Sequence, residues 1–293
     1  MKYSFILLFM ILAMQPMAIA TAAKLTPQQE YQQALAAQDA GQPEKAMRWV
    51  RKAASHGDAD AQLFLCESYL AGDGADQNGN KAVGMCRRAA DQGHPEALYQ
   101  LAIIYESGAA GIKADANEAE RLYRQAFRKT MQLAEEKDAR ARFMLANMYD
   151  LGRGTEASLS QAVHWYLLGV ALSDMASIDR FLSEIINRVG IDDIFRHELT
   201  SLSQNSDADS LYIVGVLHAN GWGAEKSLQR ATGYYLRAAE AGSPVAAYTV
   251  GILYSAGKGL PMDEAKANAW YIKAARAGYE PAAALLKIKQ IEY

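Results

Sequence analysis

The sequence predicts an all-α protein, an α/α solenoid of stacked helix-turn-helix units of about 36 residues each. Three observations predict it. First, turn glycines recur at one spacing: Gly72 to Gly108 and Gly221 to Gly257 are each 36 residues apart, as are the unit-closing pairs Gly57/Gly93 and Gly242/Gly278. Second, each interval holds two stretches of helical period, the first ended by a turn that is usually Gly-x-Gly. Third, small and bulky residues recur at matching places in each unit, which is how helices pack closely. A single hairpin cannot bury its apolar face, so neighbouring units must stack to do it.

Residues 1–22 read as a removable leader. Lys2 is the positive start, Phe5 to Met14 is an apolar run, and Ala18-Ile19-Ala20 is a cleavage site of small residues. The run is too short for a membrane span, which needs roughly 20 apolar residues. No stable membrane insertion is therefore expected after cleavage, and the mature chain is expected to be exported, to the periplasm or beyond. The formal charge is −3, so no basic surplus exists to neutralise phosphates, and nucleic acid is excluded as an expected partner.

The mature chain opens with a hairpin at 26–57. Thr26 is the N-cap, Pro27 stands at the first helical position, and Gly41 and Gly57 end the two helices. Complete units fill 58–172. One second helix carries an insertion at Lys129 to Lys137 that predicts a longer helix. The stretch 173–209 has about one unit's length without the repeat's marks. It reads either as a degraded unit or as a spacer between two sub-arrays. Regular units return at 210–278, and 279–293 reads as a capping helix.

The repeated small position on the first helix is Cys66, Ala102, Ala146, Gly215 and Gly251. The bulky pairs on the second helix are Trp165-Tyr166, Tyr234-Tyr235 and Trp270-Tyr271, followed by Ala-Ala steps such as Ala238-Ala239 and Ala274-Ala275. Together with the Gly-x-Gly turns, VGVLHANGWGAEKSLQRATGYYLRAAEAG and VGILYSAGKGLPMDEAKANAWYIKAARAG resemble Sel-one-like (SLR) repeats, relatives of the tetratricopeptide repeat. The hairpin at 26–57 resembles the shorter tetratricopeptide form. The resemblance implies a right-handed solenoid whose first helices line a concave face, and a non-enzymatic adaptor that binds a protein or peptide there, in a bacterial envelope complex or regulatory assembly. It requires no cofactor, and a monomer is expected.

By that resemblance the groove positions include Asp60, Leu63 and Glu67, then Glu96, Tyr99, Ile103 and Glu106, then Arg140, Phe143, Asn147 and Asp150. They continue with Tyr212 and Val216, then Tyr248, Ile252 and Ser255. One row is aromatic: Tyr99, Phe143, Tyr212 and Tyr248. These rings are candidate peptide anchors; the alternative is that they only fill gaps between units. Acidic residues along the same face favour a partner with basic character.

Cys66 and Cys86 fall in one unit, on facing helices, and both point at the seam. In an oxidising compartment they are expected to form a disulfide, the alternative being two buried free thiols. Catalytic patterns are lacking. The five histidines, His56, His94, His164, His197 and His218, make no metal-binding spacing, and His218 replaces a tyrosine found at Tyr69, Tyr105, Tyr149 and Tyr254. No Gly-x-Ser-x-Gly elbow occurs. The competing function is a peptidoglycan-binding protein or a cell-wall-active enzyme, a chemistry linked to some exported members of the family.

Overall fold

A computed structural model describes residues 25–74, 77–170 and 191–293. Among the described residues there are fourteen helices and no strand. The proposed leader, and residues 173–190 of the irregular stretch, lie outside them.

The helices alternate as first and second members of each unit. They are α1 Pro27–Asp39 and α2 Pro43–Ser55, α3 Ala59–Ala71 and α4 Gly79–Asp91, α5 Pro95–Ser107 and α6 Ala116–Glu135, and α7 Ala139–Leu151 and α8 Leu159–Val170. Then come α9 Ile191–Ser203, α10 Ala208–Asn220 and α11 Leu228–Glu240, α12 Pro244–Ala256 and α13 Glu264–Arg276, and α14 Glu280–Ile288. Each helix of a pair packs on its partner, and each second helix packs on the next first helix where the array is regular. This is the α/α solenoid expected from the glycine spacing.

Local chemistry places the boundaries. Thr26 caps α1 in a reciprocal box with Gln29. Asp58, Asp138, Asp207 and Ser243 cap the first helices α3, α7, α10 and α12. Five first helices, α3, α5, α7, α10 and α12, end at a left-handed glycine: Gly72, Gly108, Gly152, Gly221 and Gly257. The insertion at Lys129 to Lys137 lengthens α6 to 20 residues, against 13 for α4.

The second glycine of the turn has a separate task. A Cβ on Gly154 would stand 2.3 Å from the Tyr123 carbonyl oxygen on α6, and one on Gly223 would stand 2.4 Å from the Arg196 nitrogen on α9. The turn thus lies flat on the second helix of the preceding unit. Since α6 is such a helix, α9 holds the same station, and the irregular stretch contributes at least its second helix to the array. Trp222, between the two glycines, stacks on Phe195 with ring centroids 5.5 Å apart. Gly223→Ala is expected to cost about 3 kcal/mol, from a left-handed φ of 67° and from backbone overlap. Thermal unfolding checks it against Gly84→Ala, whose Cβ would meet nothing within 4 Å inside α4.

The core runs along the array in layers. One spans α1 to α3 around Val50 and Leu65, a second spans α3 to α7, and a third runs from α8 to α14. In the second layer Cys66 and Cys86 form a disulfide with Cα atoms 5.2 Å apart. Both cysteines are fully buried. In the α10–α11 and α12–α13 units the same two stations hold a glycine beneath a tyrosine ring: a Cβ on Gly215 would be 2.6 Å from Tyr235, and one on Gly251 would be 2.5 Å from Tyr271. The disulfide therefore occupies the place of a Gly–Tyr contact.

One connection spans the irregular stretch. Lys137 Nζ lies 3.0 Å from Asp209 Oδ2, and Arg142 Nη1 lies 3.7 Å from the same oxygen. Arg142 also donates to the carbonyls of Ala134, at 3.1 Å, and Leu168, at 2.7 Å. The first helices α7 and α10 are thus tied directly, although about two repeat lengths separate them in sequence.

Candidate interaction surface

Successive first helices touch through side chains on one face. His94 Nε2 is 3.1 Å from Asp60 Oδ1, joining α5 to α3. Arg140 of α7 pairs with Glu96 of α5. Tyr99 donates from its hydroxyl to Asn147 Oδ1 at 3.1 Å, again joining α5 to α7. These links form a continuous polar and aromatic surface across three units.

Charge on this surface is unevenly compensated. The hydrogen bond from His94 holds the Asp60 carboxyl below its ordinary range. Burial pushes the Glu96 carboxyl up against the pull of Arg140 and His94. Glu67 is solvent-accessible, yet surrounding protein atoms raise its carboxyl as well, again against Arg140 and His94. A carboxylate that is accessible but poorly solvated is one that an incoming cation would stabilise.

Arg153 makes the densest node. It donates to the Tyr99 hydroxyl at 2.7 Å and to Glu106 Oε2 at 2.9 Å, and its guanidinium lies over the rings of both Tyr99 and Tyr123. Tyr123 donates to the same Glu106 oxygen at 2.8 Å. Burial and the bond to Glu106 push the Tyr123 phenol far above its ordinary value. By sequence, Arg153 is only the middle residue of the Gly152–Gly154 turn. A signal was present: the middle residue of the turn reaches back to the preceding unit, as Trp222 does toward Phe195.

The expected aromatic row divides. Each ring packs on a tyrosine of its own second helix: Tyr99 on Tyr123 at 5.3 Å, Phe143 on Tyr166 at 6.2 Å, Tyr212 on Tyr235 at 5.4 Å and Tyr248 on Tyr271 at 5.4 Å. Tyr99, Phe143 and Tyr248 are half-buried and keep an accessible edge, as does Ile103. Asn147 is exposed, and Ile252 is 40% exposed. Tyr212 and Val216 do not belong to the surface, nor does Leu63: their exposures are 0%, 3% and 4%. For α10 the reason is visible. Every residue from Asp209 to Leu217 is buried because α8, α9 and α11 all pack against it. Its run LYIVGVL is apolar on all sides, which marks a helix enclosed by protein.

Among the described residues no group of three or more His, Cys, Asp or Glu side chains could hold a metal ion, and no helix is long and apolar enough to cross a membrane.

Comparison with known proteins matches the Sel1 repeat at residues 37–58, 59–94, 95–130, 139–174, 208–243 and 244–279. The chain belongs to the Sel1 repeat family. Sel1 repeats are typically non-catalytic scaffolds for protein–protein interaction. The first match takes in α2, so the Sel1 pattern begins within the amino-terminal hairpin. Two intervals between matches have none: 131–138, at the insertion that lengthens α6, and 175–207, inside the irregular stretch. Among curated proteins, an exopolysaccharide production negative regulator of Rhizobium leguminosarum bv. viciae is 33% identical over 137 residues, 43% of this chain and 49% of the relative. The Sel1 chain thus spans about half the length of that relative. Among solved structures, a protective antigen of uropathogenic Escherichia coli with an SLR fold is 21% identical, covering 87% of this chain and 55% of that one, with a TM-score of 0.39. A Sel1 repeat protein from Oxalobacter formigenes is 24% identical, covering 86% of this chain and 84% of that one, with a TM-score of 0.36.

Proposed function

We propose that this Sel1 protein is an exported, non-enzymatic adaptor that binds a protein or peptide segment along the face of α3, α5, α7 and α12. The observation that carries the reading is the continuous surface from Asp60 to Asn147. There Tyr99, Ile103 and Phe143 present accessible apolar edges beside the under-solvated carboxylates of Glu67 and Glu96. Such a surface suits an extended segment with basic and apolar side chains. Ile252 and Tyr248 extend it on α12.

Export is supported by the leader-like start of the sequence and by the Cys66–Cys86 disulfide, since such bonds persist in oxidising compartments. A role in a regulatory assembly of the bacterial envelope is supported by the name of the Rhizobium relative. The adaptor needs no cofactor, and we take it to act as a monomer.

The test is affinity capture from an envelope extract, using wild type and a Glu67→Lys/Ile103→Asp/Ile252→Asp variant whose helicity is unchanged. A specific protein should be retained by wild type and by Arg276→Glu on α13, and reduced at least tenfold by the triple variant. Equal capture by all three, or retention on purified peptidoglycan with no protein partner, would sink the reading.

A further inference from the structure

We propose that the unit formed by α10 and α11 carries an oxyanion-binding site, built from Arg230, Arg237 and His218 on the outward side of the second helix. It lies apart from the first-helix surface and does not depend on it.

Two other units place a lysine over a tyrosine ring at the same stations. In the α3–α4 unit Lys81 Nζ lies over the Tyr69 ring at 5.6 Å, and in the α12–α13 unit Lys266 lies over Tyr254 at 5.5 Å. Lys266 is also paired with Asp263, its helix N-cap, at 3.3 Å. Lys273, two turns on, lies over Trp270 and donates to the Ala239 carbonyl at 2.7 Å. In that unit both cations are satisfied internally.

In the α10–α11 unit the partners have been exchanged. Ser227 stands where Asp263 stands, which removes the counter-charge. His218 stands where Tyr254 stands, and its ring stacks on Tyr234 at 5.6 Å and 17°. Arg230 and Arg237 replace the two lysines. Among the described residues neither has a carboxylate within ion-pair distance or a hydrogen-bond acceptor for its guanidinium. Arg237 lies over the Tyr234 ring at 5.3 Å, so its planar head is already oriented. Gly233 lies between them, and a Cβ there would meet nothing within 4 Å.

The result is a depression of about 460 Å³ lined by His218, Gln229, Arg230, Gly233, Tyr234 and Arg237. His218 is 7% exposed, and its Nδ1 is buried without a hydrogen-bond partner. Two unpaired guanidiniums on one helix side, seven residues and so about 10 Å apart along the axis, with a buried orphaned imidazole beneath, form a receptor for a tetrahedral or planar oxyanion. Arginine forks bind such groups in a bidentate fashion. The unit lacks the internal anion that its neighbour has, and a bound phosphate, sulfate or carboxylate group would supply it.

The probe is inorganic phosphate, titrated into the full chain at constant ionic strength, with Arg Nε–Hε NMR signals as readout. Saturable shifts confined to Arg230 and Arg237 are expected, weakened at least tenfold in Arg230→Gln/Arg237→Gln and unchanged in Arg196→Gln. His218→Tyr, which restores the tyrosine of the other units, should also abolish them and keep the fold. A second arm uses vesicles: co-sedimentation with phosphatidylglycerol but not phosphatidylcholine, lost in the double variant, assigns the group to a lipid surface. Phosphate saturation without co-sedimentation assigns it to a free or protein-borne anion. Linear shifts shared by all exposed arginines, no shift at all, or saturation that survives the double substitution would overturn the site.

Discussion

Replacing Arg142 by methionine is expected to lower stability by about 3 kcal/mol and to uncouple the two halves of the array. Its side chain is 6% exposed and bonds to two carbonyls, Ala134 at the end of α6 and Leu168 on α8, while facing Asp209 on α10. Methionine fills a similar volume but takes the guanidinium donor from both carbonyls, leaving Ala134 with the Lys137 N–H at 3.2 Å. It also leaves Asp209 with Lys137 alone. Repeat arrays unfold as chains of coupled units, so weakening one interface should show as separated transitions rather than one shifted transition. Denaturant unfolding followed by hydrogen exchange in α7 and α10 would report it. Arg142→Lys keeps the charge but cannot serve both carbonyls from a planar fork, and should recover only part of the loss. A single transition within 1 kcal/mol of wild type, by the same scale, would show that the tie is ornamental.

Removing the disulfide with Cys66→Ala/Cys86→Ala is expected to cost about 3 kcal/mol, since the bond closes a loop of 20 residues. The loss should be local: amide exchange should rise first in α3 and α4. The comparison with other units adds a rescue. Cys66→Gly/Cys86→Tyr installs the contact seen between Gly215 and Tyr235 and between Gly251 and Tyr271. If the two devices are interchangeable fillings of one seam, this variant should regain about half of the lost stability through aromatic burial. It should also be insensitive to reductant, unlike wild type. Equal instability of both double variants would mean that the seam around Cys66 has shaped itself to the sulfur bridge. The measurement is thermal unfolding with and without dithiothreitol.

Much of the fold was legible because its determinants are local and repeated. Thr26 and Pro27 start α1, Gly72 and Gly152 end α3 and α7, and the insertion near Lys129 simply adds turns to α6. The cysteine pairing was legible for the same reason, since both residues sit within one hairpin. The candidate surface was legible only in part. Tyr99, Ile103, Phe143, Asn147, Tyr248 and Ile252 sit where a first-helix register puts them, with accessible edges. Tyr212 and Val216 share that register and are enclosed, because burial depends on how many helices surround α10 and not on its period.

The sequence by itself determined the repeat length, the helix ends, the small-against-large seams and the disulfide, since each follows from residues within one hairpin or its immediate neighbour. Only the tertiary structure decided that Arg153 reaches back to Tyr99, that Arg142 and Asp209 meet across the irregular stretch, and that Arg230 and Arg237 have no carboxylate partner among the described residues. Those relations join residues from different turns of the stack. The physical reason is that a side chain's partner is set by which unit lies beside it, and where the repeat is interrupted no local spacing specifies that neighbour.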